Sequence, residues 1–234
     1  MFTCYWSDEE RMNQYYRAEA QNQTAYPVAK AGYPFIFAAV FATAVFALLG
    51  LVVPALIGLF VTGFICFFFR DPDRIVPNVE NAIVSPADGR VVGVENLEKS
   101  RFYEGPCIKI SVFMSVFNVH VNRIPFGGTI KKVDYFPGKF FSANLDKASR
   151  DNEHNAVYIE TEDGVRVCMV QIAGLIARRI ICTVQQGHSV AKGQRMGLIC
   201  FGSRVDIYIP ADTKPEVLPG DRVSAGTTIL GRFL

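Results

Sequence analysis

The feature that most constrains this chain is an uninterrupted run of 39 residues without a charge, from Ala31 to Phe69. Lys30 precedes the run, and the charged segment Arg70–Arg74 follows it. A run of this length is typical of membrane insertion, because charged side chains are costly in the hydrocarbon core of a bilayer. A buried hairpin in the core of a soluble protein would be unusual at this length. We therefore expect a hydrophobic membrane hairpin over residues 31–70, preceded by a short N-terminal segment over residues 1–30.

The uncharged run is too long for a single transmembrane helix. As one helix it would measure about 58 Å, roughly twice the ~30 Å hydrocarbon core. Gly50 and Pro54 predict a break between two short apolar helices over Phe35–Leu49 and Ala55–Phe69, which could either span the bilayer or re-enter it. Lys and Arg lie at both ends of the hairpin and are missing from its tip, so both ends are predicted to be cytoplasmic. A signal peptide is the competing interpretation, but here an acidic segment precedes the apolar run.

The residues after Arg74 have the composition of a β domain. Short β-branched and aromatic runs alternate with Gly, Pro and Asp-Gly turns, and Asp163-Gly164 is a strong hairpin signal. The predicted strands are Cys107–Met114, Ala156–Glu160, Val165–Ile172, Ile180–Val184 and Val205–Ile209. The fold class is therefore predicted as mostly β, with a β-sandwich or barrel-sandwich-like domain over residues 71–234 preceded by an N-terminal membrane-associated helical hairpin.

An internal repeat lies near the C-terminus. Residues Gly187–Met196 and Gly220–Ile229 share the pattern G-x-x-V-x-x-G-x-x-[M/I] at an offset of 33 residues. This pattern is typical of lipoyl-type barrel-sandwich modules, in which a turn and an inward-facing Val are followed by a second Gly turn. Two similar β-turns in an all-β domain would give the same pattern.

Charge and cysteine content narrow the classes of function. The chain carries 24 basic and 22 acidic residues without a Lys/Arg-rich run, so a nucleic-acid partner is not expected. Its six cysteines form no C-x-x-C pair, so neither a disulfide framework nor a metal site is expected. A reducing, cytoplasmic environment fits this cysteine usage best.

Three residues could together activate a hydroxyl group. Asp88 lies in a tight turn, His120 lies at the end of an apolar strand, and Ser203 directly follows Gly202 at the start of another strand. An Asp can orient an imidazole, which can take the proton of a serine. Each residue also has a structural interpretation: a hairpin corner, a hydrogen-bonded core histidine and an ordinary Gly-Ser pair. No G-x-S-x-G elbow surrounds the serine, which argues against an ordinary hydrolase.

The other two histidines lie in local sequence that predicts solvent exposure. His154 lies in a polar stretch, and His188 lies in a glycine turn.

Four segments together carry a family resemblance. They are F-F-F-R-D-P-D-R (67–74), S-P-A-D-G (85–89), S-V-F-N-V-H-V-N-R-I-P (115–125) and F-G-S-R-V-D (201–206). In this combination the chain resembles the short bacterial and archaeal form of phosphatidylserine decarboxylase. The resemblance extends from about Tyr33 to the C-terminus.

The resemblance implies a self-cleaving proenzyme. Ser203 would attack the Gly202 carbonyl and be converted into a covalent pyruvoyl cofactor, which leaves a β chain of residues 1–202 and an α chain of residues 203–234. Asp88, His120 and Ser203 would be the processing and catalytic residues. Longer relatives have H-x-x-H-x-P, whereas here the second histidine is replaced by Arg123. The resemblance therefore implies that His120 serves processing, decarboxylation or both.

The resemblance also implies a membrane phospholipid substrate. Phosphatidylserine would lose CO2 to give phosphatidylethanolamine, on the cytoplasmic side of the cell membrane, although the residues leave phosphatidylserine and archaetidylserine open. Arg123, Asn118 and Phe117 are the predicted substrate-binding residues. The cleaved fragments would form an α/β heterodimer that could assemble further.

Four arginines are possible phosphate partners, and each could equally be a solvated surface residue. They are Arg123, Arg178, Arg179 and Arg204.

Two other classes of protein share parts of this pattern. A membrane-anchored barrel-sandwich adaptor would need a long helical hairpin between its half-motifs, and a lipoyl-type carrier would need a lysine where Asp88-Gly89-Arg90 stands. A membrane-tethered serine hydrolase would use Ser203, His120 and Asp88 on an intact chain.

Overall fold

A computed structural model describes residues 15–16, 27–138, 152–174, 179–200 and 203–234. The chain divides into two compact units. One comprises residues 24–73 with the short segment 117–119, and the other contains the remaining described residues. Gly202 and Arg178, both named above from the sequence, lie outside the described residues.

The smaller unit is built on a helical hairpin. After a 3₁₀ turn at Lys30–Gly32, helix α1 covers Tyr33–Leu48 and helix α2 covers Val52–Phe68. Gly50 between them has a φ of 70°, in the left-handed region that glycine adopts without strain. The predicted break is confirmed, but α2 begins before Pro54, which lies in the first helical turn where proline is tolerated.

The two helices expose apolar side chains. α1 buries none of its residues, and Phe41, Leu48 and Phe60 are 72%, 88% and 77% exposed. Thr43 Oγ1 and Thr62 Oγ1 lie 3.4 Å apart and join the helices through a polar contact. Residues Lys30–Leu48 form a helix long and apolar enough to cross a membrane, whereas the 17 residues of α2 form a shorter apolar helix.

The larger unit is a β structure. Its strands are β1 (Tyr15–Tyr16), β2 (Val76–Pro77), β3 (Ala82–Val84), β4 (Gly89–Leu97), β5 (Cys107–Met114), β6 (Val121–Arg123), β7 (Gly128–Phe136), β8 (His154–Glu160), β9 (Arg166–Ala173), β10 (Ile180–Cys182), β11 (Ser189–Val190), β12 (Arg195–Ile199), β13 (Ser203–Pro210), β14 (Lys214–Pro215), β15 (Arg222–Val223) and β16 (Ile229–Arg232). The mostly β prediction is confirmed.

One large antiparallel sheet organises these strands. Its order is β11-β7-β8-β9-β13-β5-β4-β15, so β13 lies between β9 and β5. Two three-stranded sheets, β10-β12-β6 and β14-β16-β3, accompany it, and β1 pairs with β2. Alternate residues of β13, including Val205 and Ile207, enter the main apolar core.

The two copies of the C-terminal repeat make equivalent backbone contacts. Val190 of the first repeat pairs with Gly128, and Val223 of the second pairs with Gly89. The amide of Gly193 donates to the carbonyl of Ile124, as the amide of Gly226 donates to that of Ser85. The segments 82–91 and 121–130 therefore form a second, matching repeat at an offset of 39 residues. This arrangement supports the barrel-sandwich interpretation over two unrelated turns.

Two glycines lie where a neighbouring strand approaches the backbone closely. A Cβ added at Gly89 would collide with the carbonyl of Phe113, and one added at Gly128 would collide with the carbonyl of Glu160. Both positions therefore require glycine because a neighbouring strand approaches the backbone closely.

Candidate active site

Ser203 is the first residue of β13 and is fully buried. Its register partners are Met114 on β5 and Ala173 on β9. Within the described part of the chain, its Oγ has no hydrogen-bond partner. A buried hydroxyl in this condition costs about 1–3 kcal/mol, so the fold keeps this oxygen at a structural cost.

His120 lies in the connection between β5 and β6 and is 2% exposed. The sequence placed His120 at the end of an apolar strand, but His120 lies outside both strands, because β5 ends at Met114 and β6 begins at Val121. The carbonyl of His120 accepts a hydrogen bond from the amide of Ile199, at 3.4 Å. Ile199 is the last residue of β12, so this hydrogen bond places the His120 backbone beside the end of β12.

Asp88 lies at the corner between β3 and β4, and its side chain is 13% exposed. Its Oδ2 is 2.7 Å from Nη2 of Arg74, and its Oδ1 accepts the backbone amide of Ala225 at 2.7 Å. Each carboxylate oxygen thus already binds a group other than His120. A carboxylate oxygen can accept more than one hydrogen bond, so these contacts fix the position of Asp88 and leave lone pairs for another donor.

The predicted substrate-binding residues lie in different surroundings. Arg123 is 3% exposed, and its Nη1 donates to the carbonyl of Gly193 at 3.0 Å, so part of its hydrogen-bonding capacity supports the fold. Phe117 belongs to the smaller unit, where it is 67% exposed and its carbonyl accepts Nη2 of Arg70 at 2.7 Å. Asn118 is half-buried beside it.

Arg204 is buried and paired rather than solvated. Its Nε and Nη2 bind the two carboxylate oxygens of Asp206 at 2.6 and 2.7 Å. The two residues are 2% and 0% exposed. Residues i and i+2 of a strand share one face, and this spacing was the signal in the sequence that the pair could form.

The prediction that His154 is solvent-exposed is wrong. The side chain is 3% exposed and stacks on Phe136, with ring centroids 4.7 Å apart. Its Nδ1 lies 2.6 Å from the carbonyl oxygen of Asn152, and its Nε2 lies 3.1 Å from Nη2 of Arg101. Burial is the largest influence and lowers the pKa of His154 below its ordinary 6.5. His188, by contrast, is exposed as predicted.

We expect His154 to make stability depend on pH. Because its pKa is lower in the folded chain, the unfolded chain binds the proton more tightly, and stability falls as pH falls below about 6.5. Thermal unfolding in detergent should therefore give a lower Tm at pH 5.5 than at pH 7.5. His154→Phe should flatten this dependence, whereas His188→Gln should leave it unchanged. An equally steep dependence in His154→Phe would contradict the assignment.

Three buried amides near Ser203 were missed by sequence analysis. Asn122 on β6, Asn155 on β8 and Gln171 on β9 form a connected chain of hydrogen bonds. Although Asn122 lies inside a recognised motif, no local pattern relates it to strands β8 and β9.

A cavity of about 500 Å³ lies away from Ser203. It is lined by the final residues of β8 and the first residues of β9, at the opposite end of β9 from Ala173. Its charged residues include the ion pairs Lys131–Glu160, at 2.8 Å, and Arg166–Glu104, at 2.6 Å. The cavity is therefore not the candidate site.

The class of protein that the fold and site define is a barrel-sandwich domain with a sequestered serine as its candidate reactive group. Comparison with known proteins gives the family. The family model described as phosphatidylserine decarboxylase matches residues 61–231. The chain belongs to the phosphatidylserine decarboxylase family, in its short bacterial form, and is an enzyme of that family.

Individual relatives show how much of the chain this similarity covers. The phosphatidylserine decarboxylase proenzyme of Desulfotalea psychrophila is 47% identical over 212 residues, which cover 91% of this chain and 99% of the relative. The proenzyme of Geotalea uraniireducens is 50% identical over 205 residues, covering 88% and 96%. That of Ralstonia nicotianae is 54% identical over 172 residues, covering 74% and 80%.

Proposed function

We propose that this chain converts phosphatidylserine to phosphatidylethanolamine and CO2 by means of a pyruvoyl group made from its own Ser203. The observation that carries the proposal is the fully buried Ser203 hydroxyl, for which the described residues offer no hydrogen-bond partner. The name "proenzyme" of the relatives supports self-cleavage. The cleavage would fall between Gly202 and Ser203.

Self-cleavage needs no group outside the chain except water. Ser203 Oγ attacks the adjacent carbonyl carbon while His120 takes its proton, and the C–N bond then breaks as the Ser203 nitrogen is protonated. The resulting ester loses the Ser203 Cα proton and a carboxylate, leaving dehydroalanine at position 203. Addition of water and loss of ammonia give the pyruvoyl end.

A pyruvoyl group bound to the substrate amine supplies the electron sink that amino-acid side chains lack. The described surroundings of Ser203 fit such a group, because its register partner Met114 is apolar and fully buried. A closed apolar environment disfavours the charged carboxylate and so favours its loss. His120 is proposed to return a proton to the substrate Cα.

The substrate-binding roles of Arg123, Asn118 and Phe117 remain part of this proposal. Arg123 is proposed to contact the phosphodiester through its guanidinium, which also donates to the carbonyl of Gly193. We further propose that the active enzyme is an α/β heterodimer of the two fragments at the cytoplasmic face of the cell membrane.

Product analysis tests the proposed activity. Purified protein in mixed micelles should release labelled CO2 from phosphatidylserine labelled in its serine carboxyl group, with equal amounts of phosphatidylethanolamine. An archaetidylserine substrate tests the glycerol stereochemistry in parallel. Hydrolysis of lipid by an intact chain, without CO2, would instead favour the serine hydrolase.

The hairpin is expected to hold the protein on membranes. Its helices expose large apolar side chains such as Phe41 and Phe60, and such surfaces need lipid or detergent. The full chain should therefore fractionate with membranes and require detergent for extraction. Deletion of residues 1–69 should greatly weaken this association while leaving a folded β domain, because the main core begins at Ile83. A full-length chain that is soluble without detergent would contradict the prediction.

A further inference from the structure

Three amide side chains cross the core from β8 through β9 to β6. Nδ2 of Asn155 donates to Oε1 of Gln171 at 3.0 Å, and Nε2 of Gln171 donates to Oδ1 of Asn122 at 2.9 Å. Asn155 is 3% exposed, and the other two are fully buried. Because a buried amide costs free energy unless it is hydrogen-bonded, this connected chain is a specific feature of the core.

The direction of these hydrogen bonds determines which end of the Asn122 amide faces away from Gln171. Its oxygen accepts from Gln171, so its NH2 group faces the other way. There the described residues offer it the thioether sulfur of Met114, at 3.7 Å. A thioether is a weak acceptor, so the Asn122 NH2 group could donate to a stronger acceptor nearby.

The strand register places this donor at the start of β13. Met114 on β5 is directly opposite Ser203, and Gln171 on β9 is directly opposite Val205. Opposed residues in antiparallel strands share a face, and so do residues two apart along one strand. Asn122 therefore contacts residues on both strands that flank β13, on the face of the Ser203 side chain.

Two groups thus lie on the same face of the sheet near the first residues of β13. One is the Ser203 hydroxyl, for which the described residues supply no partner, and the other is an amide donor with a weak acceptor. When the hydroxyl attacks the carbonyl bonded to the Ser203 nitrogen, the carbonyl oxygen becomes an oxyanion. A fixed amide donor in a closed site stabilises such charge strongly, because it needs no reorganisation during the reaction.

We propose that the side-chain NH2 group of Asn122 donates to the oxyanion formed during self-cleavage, and that Gln171 and Asn155 are positioning residues for it. The inference rests on the proposed self-cleavage at Ser203. It adds a hydrogen-bond donor to the attacked carbonyl, a role distinct from that of the base that takes the Ser203 proton.

The test compares isosteric amide-to-carboxylate variants. Asn122→Asp keeps the acceptor for Gln171 and loses the donor, and it should slow self-cleavage about 100-fold or more. Asn155→Asp is two hydrogen bonds away and should slow self-cleavage less than tenfold. Gln194→Glu changes a buried amide that does not belong to the hydrogen-bonded series Asn155, Gln171 and Asn122. Its oxygen accepts a hydrogen bond from the backbone amide of Ala191, and the variant should cleave at the wild-type rate.

Folding is measured separately from cleavage. Each variant is combined with Ser203→Ala, and its Tm is compared with that of Ser203→Ala alone. If the three amides have only a structural role, the rate of self-cleavage should fall in proportion to Tm across the variants. If Asn122 is the proposed donor, Asn122→Asp should cleave far more slowly than Asn155→Asp even where the two have similar Tm values. If Asn122→Asp does not fold, Asn122→Leu, uncharged and of similar volume, replaces it.

A second measurement identifies which step of self-cleavage is slowed. Hydroxylamine cleaves esters, so it should release no extra fragment from Asn122→Asp, in which the ester forms too slowly to accumulate. Wild-type-like cleavage in a folded Asn122 variant, or accumulation of a hydroxylamine-sensitive ester, would overturn the proposal. Absence of cleavage in the unmodified protein would instead overturn the proposed function itself.

Discussion

Ser203→Ala is expected to remain a single intact chain of 234 residues with no decarboxylase activity. The variant lacks the oxygen that attacks the neighbouring carbonyl and that later leaves to form the pyruvoyl group. Its Tm should equal or exceed that of the uncleaved wild-type chain, because the lost hydroxyl has no partner within the described residues. A denaturing gel and an assay of CO2 release check both effects.

The chain offers a matched control for this variant. Ser111 is also a buried strand serine whose Oγ finds no partner in the described part of the chain. It lies opposite Asp206, farther along β13 than Ser203. Ser111→Ala should therefore cleave and decarboxylate normally. Cleavage of Ser203→Ala at the wild-type rate would exclude Ser203 as the nucleophile.

His120→Ala is expected to show the second large effect. Arg123 stays protonated at accessible pH, so His120 is the proposed base for the Ser203 hydroxyl. Removing a general base typically costs about 10²- to 10⁴-fold, and self-cleavage should slow by that amount. Asp88→Asn should slow it less, because the amide retains an acceptor for the Ala225 N–H and the imidazole remains. Time courses of cleavage on gels measure both, with the exposed His188→Ala as control.

The two proposed roles of His120 can be separated in time. Chemical modification of histidine after cleavage is complete should abolish CO2 release without changing the fragments. If His120→Ala cleaves normally but releases no CO2, His120 acts in decarboxylation alone and the base for cleavage is another group. Normal cleavage and normal decarboxylation would leave His120 as a structural histidine.

The sequence correctly predicted the strands and the turn that depend on the preferences of local residues. Cys107–Met114 is a strand with the predicted bounds because its β-branched and aromatic residues suit a buried sheet. Asp163-Gly164 forms a turn between β8 and β9, as predicted from its residue types. The other predicted strands are confirmed within two residues at each end.

The structural features that the sequence did not predict depend on tertiary contacts. His154 lies in a polar segment, yet Phe102 and Phe136 cover it because the sheet brings them together. The repeat formed by residues 82–91 and 121–130 was missed because the two segments share little beyond a Pro and a Gly. The amide chain through Asn122 joins three strands distant in sequence, so only the register reveals it.

Intact-mass analysis of purified, active protein tests the central claim most directly. Two fragments are expected, residues 1–202 and residues 203–234, the smaller having a blocked pyruvoyl terminus in place of Ser203. Its mass should be that of the unmodified peptide less one ammonia, because the water lost on forming dehydroalanine is regained when the amine leaves. An active preparation that contains only the intact chain would contradict the account.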